Sequence, residues 1–178
     1  MPHNRPTNLE VPDMLKRTLV AATLAVALLV PGLSRAHSAG VGMGVSFGVV
    51  LPKSEILEMS DAGFAWGFWV DIPIAWKFYI TPSAQLYNLG GKVGENPATD
   101  IDLNFKFILP VSFAKIYFGA AGGATVHAEY DANVGLFLGS SFNLVSGLDV
   151  FVQGKYKLVI DDPNIHMVHV DGGFMYWF

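Results

Sequence analysis

From residue 41 to the C-terminus the chain alternates large apolar residues with small or polar ones, the period of strands with two unlike faces. In the first segment Val41, Met43, Val45, Phe47 and Val49 alternate with Gly42, Gly44, Ser46 and Gly48. The second sets Phe64, Trp66, Phe68, Val70 and Ile72 on one face. The third sets Trp76, Phe78, Ile80, Pro82, Ala84 and Leu86 against Lys77, Tyr79, Thr81, Ser83, Gln85 and Tyr87. The fourth opposes Ile101, Leu103, Phe105, Phe107 and Leu109 to Asp102, Asn104, Lys106 and Ile108. Four more segments with the same period run over 116–127, 133–142, 148–160 and 167–178.

The connections alternate as well. Tight turns are expected around Pro73, Pro110–Ser112 and Leu144–Gly147. Loops are expected at Pro52–Asp61, Asn88–Thr99, Ala128–Asp131 and Asp161–Asn164, two of them long and polar. Eight strands of about ten residues, with short turns at one end and longer loops at the other, fit a transmembrane barrel. The fold class read from the chain is therefore all-β, an eight-stranded antiparallel transmembrane β-barrel over residues 40–178.

The charges decide which face would meet lipid. Every Asp, Glu or Lys inside the proposed strands lies on the small, polar face, and the opposite face carries none. A Lys facing lipid at the midplane costs about 2–4 kcal/mol, so a bilayer would enforce that absence. A soluble barrel would turn its apolar face inward and show charges to water. The polar face here reads as a packed interior, because eight strands enclose just enough space for side chains. Lys77, Asp102, Lys106, Asp149, Lys155, Lys157 and Asp171 are expected to form a polar network in the lumen, with Lys155 almost opposite Asp171. Inward rings at Trp69, Tyr79, Tyr117, Phe137, Phe151 and Trp177 argue against an open pore.

Composition sharpens this picture. The 178 residues are 52% hydrophobic and only 15% charged, against roughly 25% charged in typical soluble domains. No stretch reaches the ~18 consecutive apolar residues of a membrane-spanning helix. The absence of cysteine excludes disulfides, thiol catalysis and a lipoprotein anchor. The net charge of −4 and the lack of a basic run beyond the first segment argue against nucleic acid as a partner. At the N-terminus Lys16 and Arg17 precede an apolar run from Leu19 to Val30, a Pro31-Gly32 break and Ser34-Arg35-Ala36. This is the layout of a secretory signal peptide, cleaved after Ala36 or after Ala39. Residues 1–36 are read as that signal, with Met14 as its start and an upstream extension before it.

Outward aromatics gather towards the strand ends. Trp76, Phe78, Phe118, Phe142, Tyr176 and Phe178 lie near the short-turn side, and Phe64 and Trp66 near the loop side. That distribution fits the two girdles at membrane–water boundaries. The chain closes on Phe174-Met175-Tyr176-Trp177-Phe178, an alternating aromatic strand with a terminal Phe. This resembles the C-terminal signature by which outer-membrane barrels are recognised for assembly. With the signal peptide, the chain resembles the small eight-stranded outer-membrane β-barrel family, represented by the transmembrane domain of outer membrane protein A and the compact outer membrane protein X. The resemblance is architectural, covers roughly Gly40 to Phe178, and rests on no family-specific inner motif. It implies a bacterial outer-membrane location and Phe174, Tyr176 and Phe178 as an assembly signal read by the barrel-assembly machinery, and no particular activity.

The function expected is structural or interactive, with a side-chain-filled lumen and with outer-membrane lipids and lipopolysaccharide as surroundings. A narrow channel for small solutes is the alternative, and a lipid-modifying enzyme the third reading. Ser140 and His166, the outward candidates for a nucleophile and base, are expected most of a membrane thickness apart. His127 and His169 point inward without close acidic and Ser partners in sequence, and no metal-ligand spacing or cofactor motif is present. The loop end is acidic, with Glu55, Glu58, Asp61, Glu95, Asp100, Glu129, Asp131, Asp161 and Asp162. Such a rim could take divalent cations that bridge to anionic lipid head groups.

Overall fold

Because successive side chains of a strand point to opposite faces, a strict two-residue alternation has to be satisfied by two different environments. The computed structural model supplies them as the inside and the outside of a closed antiparallel barrel. It describes residues 40–53, 62–88, 97–111, 113–127, 130–161 and 164–178. The signal segment, residues 1–36, lies outside the described residues, as do Glu55, Glu58, Asp61, Glu95, Glu129 and Asp162. The strands are β1 (Gly42–Lys53), β2 (Gly63–Ala75), β3 (Phe78–Asn88), β4 (Pro97–Val111), β5 (Ala114–Val126), β6 (Tyr130–Val145), β7 (Leu148–Ile160) and β8 (Ile165–Trp177). Each pairs with its sequence neighbour, and β1 closes on β8 from Gly42 opposite Trp177 to Lys53 opposite His166.

The faces divide as the alternation predicts. Met43, Val45, Phe47 and Val49 of β1 point outward, and so do Leu136 and Leu138 of β6 and Val168 and Val170 of β8. Ser46, Asn104, Lys157 and Asp171 point inward and are buried. Val41, just before β1, departs from its expected face and is buried.

The strands are 11 to 16 residues long, not about ten, and their ends correct three expectations. The turn expected at Pro73 is made by Trp76 and Lys77 instead. Pro73 lies within β2, where the β2–β3 register shifts between Pro73 and Ala75. A proline is tolerated at such an irregularity because the ladder there does not require its missing N–H. Trp76 takes a φ of 40°, an uncommon conformation for a bulky residue. Lys77 is consequently a turn residue and not an inward strand residue. At the turn between β6 and β7, Gly147 has φ 80°, which glycine adopts without a Cβ clash. Finally, β4 starts at Pro97, inside what the polar stretch Asn88–Thr99 had marked as loop. The inward parity of the strand therefore extends back to Asp100, which is buried in the lumen and is not part of the acidic rim.

Candidate functional site

The inner face is built of buried charges, each facing partners from other strands. Near the short-turn end, Asp149 of β7 accepts hydrogen bonds from Lys115 Nζ (2.6 Å), Trp177 Nε1 (2.8 Å) and Asn143 Nδ2 (3.2 Å). The Lys115 ammonium also sits 4.6 Å from the centre of the Trp177 ring, a cation–π contact. Further in, Lys106 donates to both oxygens of Asp71 at 2.8 Å, and Thr81 Oγ1 donates to Asp71 at 2.6 Å. At mid-height Asn104 Nδ2 donates to Thr81 O and Ser83 Oγ, and Gln85 Nε2 donates to Asp171 at 2.9 Å.

Towards the loop end lies the densest cluster. Lys155 Nζ lies 2.5 Å from Asp102 Oδ2, and Lys157 Nζ lies 3.0 Å from the same oxygen and also contacts Asp100. Asp100 in turn accepts from Tyr87 Oη (2.9 Å) and Thr125 Oγ1 (2.7 Å), and Asn133 Nδ2 donates to Thr125 Oγ1 (3.1 Å). Buried charges are tolerated when paired and hydrogen-bonded in this way. His169, fully buried, stacks edge-on to Tyr87 with ring centres 5.3 Å apart, and neither of its ring nitrogens has a hydrogen-bond partner.

Of the residues expected in the lumen, Asp102, Lys106, Asp149, Lys155, Lys157 and Asp171 are inside, all on the buried parity of β4, β7 and β8. Lys77 is not among them. At its turn, its ammonium lies over the Trp76 ring at 4.5 Å and its carbonyl accepts from Ile108 N. The expected pairing of Lys155 with Asp171 is also corrected. Lys155 faces His169 across β7–β8, and Gln153 faces Asp171. Inward residues must oppose inward residues, so a register can slip only in steps of two, and this one differs by one such step. Asp71, Asp100 and Lys115 are further members that the sequence reading did not assign to the network. Asp71 follows the inward parity of β2, and that parity was the signal available.

Rings fill the space between the ion pairs. Tyr79, Ile108, Tyr117 and Phe137 form one buried apolar layer with Trp177 against it, and Trp69, Phe151 and Met175 form another. Glycines on neighbouring strands make room for them. A Cβ at Gly173 would lie 2.8 Å from Phe151 Cζ, and one at Gly139 would lie 2.5 Å from Tyr117 Oη. Two internal cavities among these groups measure about 20 and about 10 Å³, the size of one water molecule or less. A larger recess of about 340 Å³ opens at the short-turn end beside Lys77, Lys115, Tyr79 and Trp177.

Outside, over residues 42–52 of β1 and the whole of β2 to β8, no Asp, Glu, Lys or Arg side chain faces away from the lumen. Aromatic contacts band the short-turn end: Phe78 with Phe107 (4.7 Å between ring centres), Phe107 with Phe118 (5.4 Å) and Tyr176 with Phe178 (4.9 Å). Phe174, Tyr176 and Phe178 are exposed on the outer face. Ser140 stands opposite Val152 and His166 opposite Leu158. Six residues of β7 separate those levels, about 20 Å at strand rise. His166 Nδ1 instead lies 2.6 Å from Tyr156 Oη. His127 does have acidic neighbours, contrary to the sequence reading: Asp131 lies across the hairpin turn, and Asp161 comes from the end of β7. A spacing rule written for one continuous motif does not see a set assembled from three strand ends.

The sequence matches no protein-family model and no curated protein. Solved structures do match in shape. Neisserial surface protein A superposes with a TM-score of 0.69 at 13% identity, covering 79% of this chain and 98% of that one. A de novo designed transmembrane β-barrel superposes with a TM-score of 0.55 at 11% identity, covering 80% and 98%. The attachment invasion locus protein Ail of Yersinia pestis reaches 0.49 at 10% identity, covering 79% and 100%. At such identities the likeness is one of fold, and the fold is the eight-stranded antiparallel barrel.

Proposed function

We propose that the chain is a bacterial outer-membrane β-barrel of structural or interaction type, non-enzymatic, with a lumen closed by its own side chains. One observation carries this reading: among the strand side chains the structure describes, every Asp and Lys points inward, and the outside is apolar, aromatic or small apart from Asn88 and His166 at strand ends. Water around the wall would leave this apolar surface unsatisfied, whereas hydrocarbon suits it. The fold likeness to a surface protein and to a designed transmembrane barrel supports the same reading. Outer-membrane lipids and lipopolysaccharide are then the surroundings of the wall. The outward Phe174, Tyr176 and Phe178 are what the barrel-assembly machinery would read. The start of β1 and the end of β8 both sit on the short-turn side, which is the periplasmic side in this orientation.

The water-sized internal cavities and the layered rings support a plug over a pore. The runner-up, a narrow conduit, is favoured by the 340 Å³ recess at one mouth. A conduit would need Tyr79, Tyr117 and Trp177 to move aside. Planar-bilayer recording separates the two: a plug gives no steady conductance, and a large, steady conductance would put the channel reading first. Fractionation of cells expressing the protein tests location. Recovery with the outer membrane is expected, and a soluble periplasmic product would overturn the proposal.

A further inference from the structure

The inner face ends, at the loop side, in a group set apart from the lysine–aspartate pairs of the lumen. It consists of His127, just past β5, Asp131 of β6 and Asp161, just past β7. By strand parity all three point towards the mouth. The β6–β7 ladder reaches Ala132 opposite Ile160, so the next step outward sets Asp131 against Asp161.

One ligand atom from each of the three residues can be taken such that all lie within 4.8 Å of one another. His127 Nδ1 and Asp131 Oδ2 are 3.4 Å apart. Both atoms are shielded from solvent, and neither makes a hydrogen bond. Metal–ligand bonds of about 2.0–2.1 Å in a tetrahedron put ligand atoms about 3.3 Å apart. The spacing therefore suits two ligands of one small ion. Two residues deeper on the same face, Asn133 is buried with its Oδ1 also lacking a partner, so the rim is rich in acceptors.

We propose that His127, Asp131 and Asp161 form a divalent-metal site at the loop-end mouth, of the class that takes Zn²⁺. This goes beyond the outer-membrane reading and does not depend on it. An imidazole with two carboxylates suits a borderline ion such as Zn²⁺, whereas Ca²⁺ and Mg²⁺ prefer all-oxygen shells. Three protein ligands leave a fourth position for water or for an anionic group on an approaching partner. The bound ion ties together the ends of β5, β6 and β7.

The test is calorimetric titration of the untagged full chain, folded in detergent micelles, with ZnCl₂, MgCl₂ or CaCl₂. One Zn²⁺ per chain is expected, at least tenfold tighter than Mg²⁺ or Ca²⁺ and at least tenfold weaker in His127→Gln and in Asp131→Asn. His166→Gln, outside the cluster, should bind like the unaltered protein, and a gel shift on boiling checks that each variant is folded. The unaltered protein loaded with Co²⁺ should show the strong visible absorption of a four-coordinate site, a readout that needs no variant. Absence of Zn²⁺ binding would leave only a proton-dependent His127–Asp131 ion pair and overturn the proposal. Zn²⁺ binding that survives both substitutions, or Ca²⁺ binding of equal strength indifferent to His127→Gln, would overturn it as well.

Discussion

Lys155 of β7 and Asp102 of β4 meet at 2.5 Å, although their strands stand three positions apart around the wall. The contact is a brace across the lumen and not a rung of one hairpin. Lys157 shares the same carboxylate and adds Asp100. Two lysines and two aspartates thus hold facing parts of the wall together at the depth where the loop end begins.

That brace predicts strong coupling. Asp102→Asn should destabilise the folded protein by about 3–5 kcal/mol, because it strands the buried Lys155 ammonium, and Lys155→Met should cost less, because Lys157 still holds Asp102. The double variant should recover a good part of the loss. Pairing Lys155→Met with Asp171→Asn should show a smaller coupling, since the Asp171 carboxylate is hydrogen-bonded by Gln85 and not directly by Lys155. Urea unfolding in lipid vesicles measures all of these, and simple additivity of the Lys155–Asp102 pair would refute the brace.

The two faces should respond oppositely to charge. Leu138→Lys places an ammonium on the outer wall midway along β6, which costs about 2–4 kcal/mol in a bilayer. Gln153→Lys places one inside, opposite Asp171, where it gains a partner. Folding yields into vesicles should fall sharply for the first and little for the second. Equal yields would remove the membrane assignment.

Ring-into-glycine packing gives a third test. The atoms nearest a methyl at Gly139 belong to the Tyr117 side chain, with Oη at 2.5 Å and Cε2 at 2.7 Å. Gly139→Ala should therefore cost about 1–3 kcal/mol, in the range of overpacking. In a Tyr117→Leu background the added penalty should vanish. Unfolding midpoints of the four proteins decide it, and a penalty unchanged in that background would mean that the backbone, not the ring, imposes the glycine.

Phe178 donates its N–H to Val41 O (2.9 Å) and exposes its ring beside Tyr176. Replacing it by Ser keeps the backbone bond and removes the ring. Assembly in cells should drop while refolding of the purified chain into vesicles stays close to normal. A parallel fall in both would make the ring a packing element and not a recognition signal.

Strand number, pairing order and the two faces were legible because alternation leaves a period of two in every segment. The ends of strands were not. Pro97 to Asp100 reads as polar loop, since Ala98 and Thr99 carry no strong contrast, yet it continues β4 and buries Asp100. Pro73 reads as a turn because proline lacks a donor, yet the shift in register absorbs it. Which charges were inside followed from parity, except for Lys77, which the turn takes out of β3. Which charges touched did not, because Lys155 and Asp102 are joined by curvature that brings nonadjacent strands face to face, and a linear sequence carries no direct mark of it.

The pairing of β1 with β8 joins the first and last strands over residues 42–53 and 166–177. Its contacts are the farthest apart in sequence that this fold allows, so the chain must lose the entropy of nearly its whole length before this seam contributes. Until then the sheet has two raw edges, each able to pair with a stranger. Closure is consequently late, and the interval before it is when the chain most needs to be kept from its own copies.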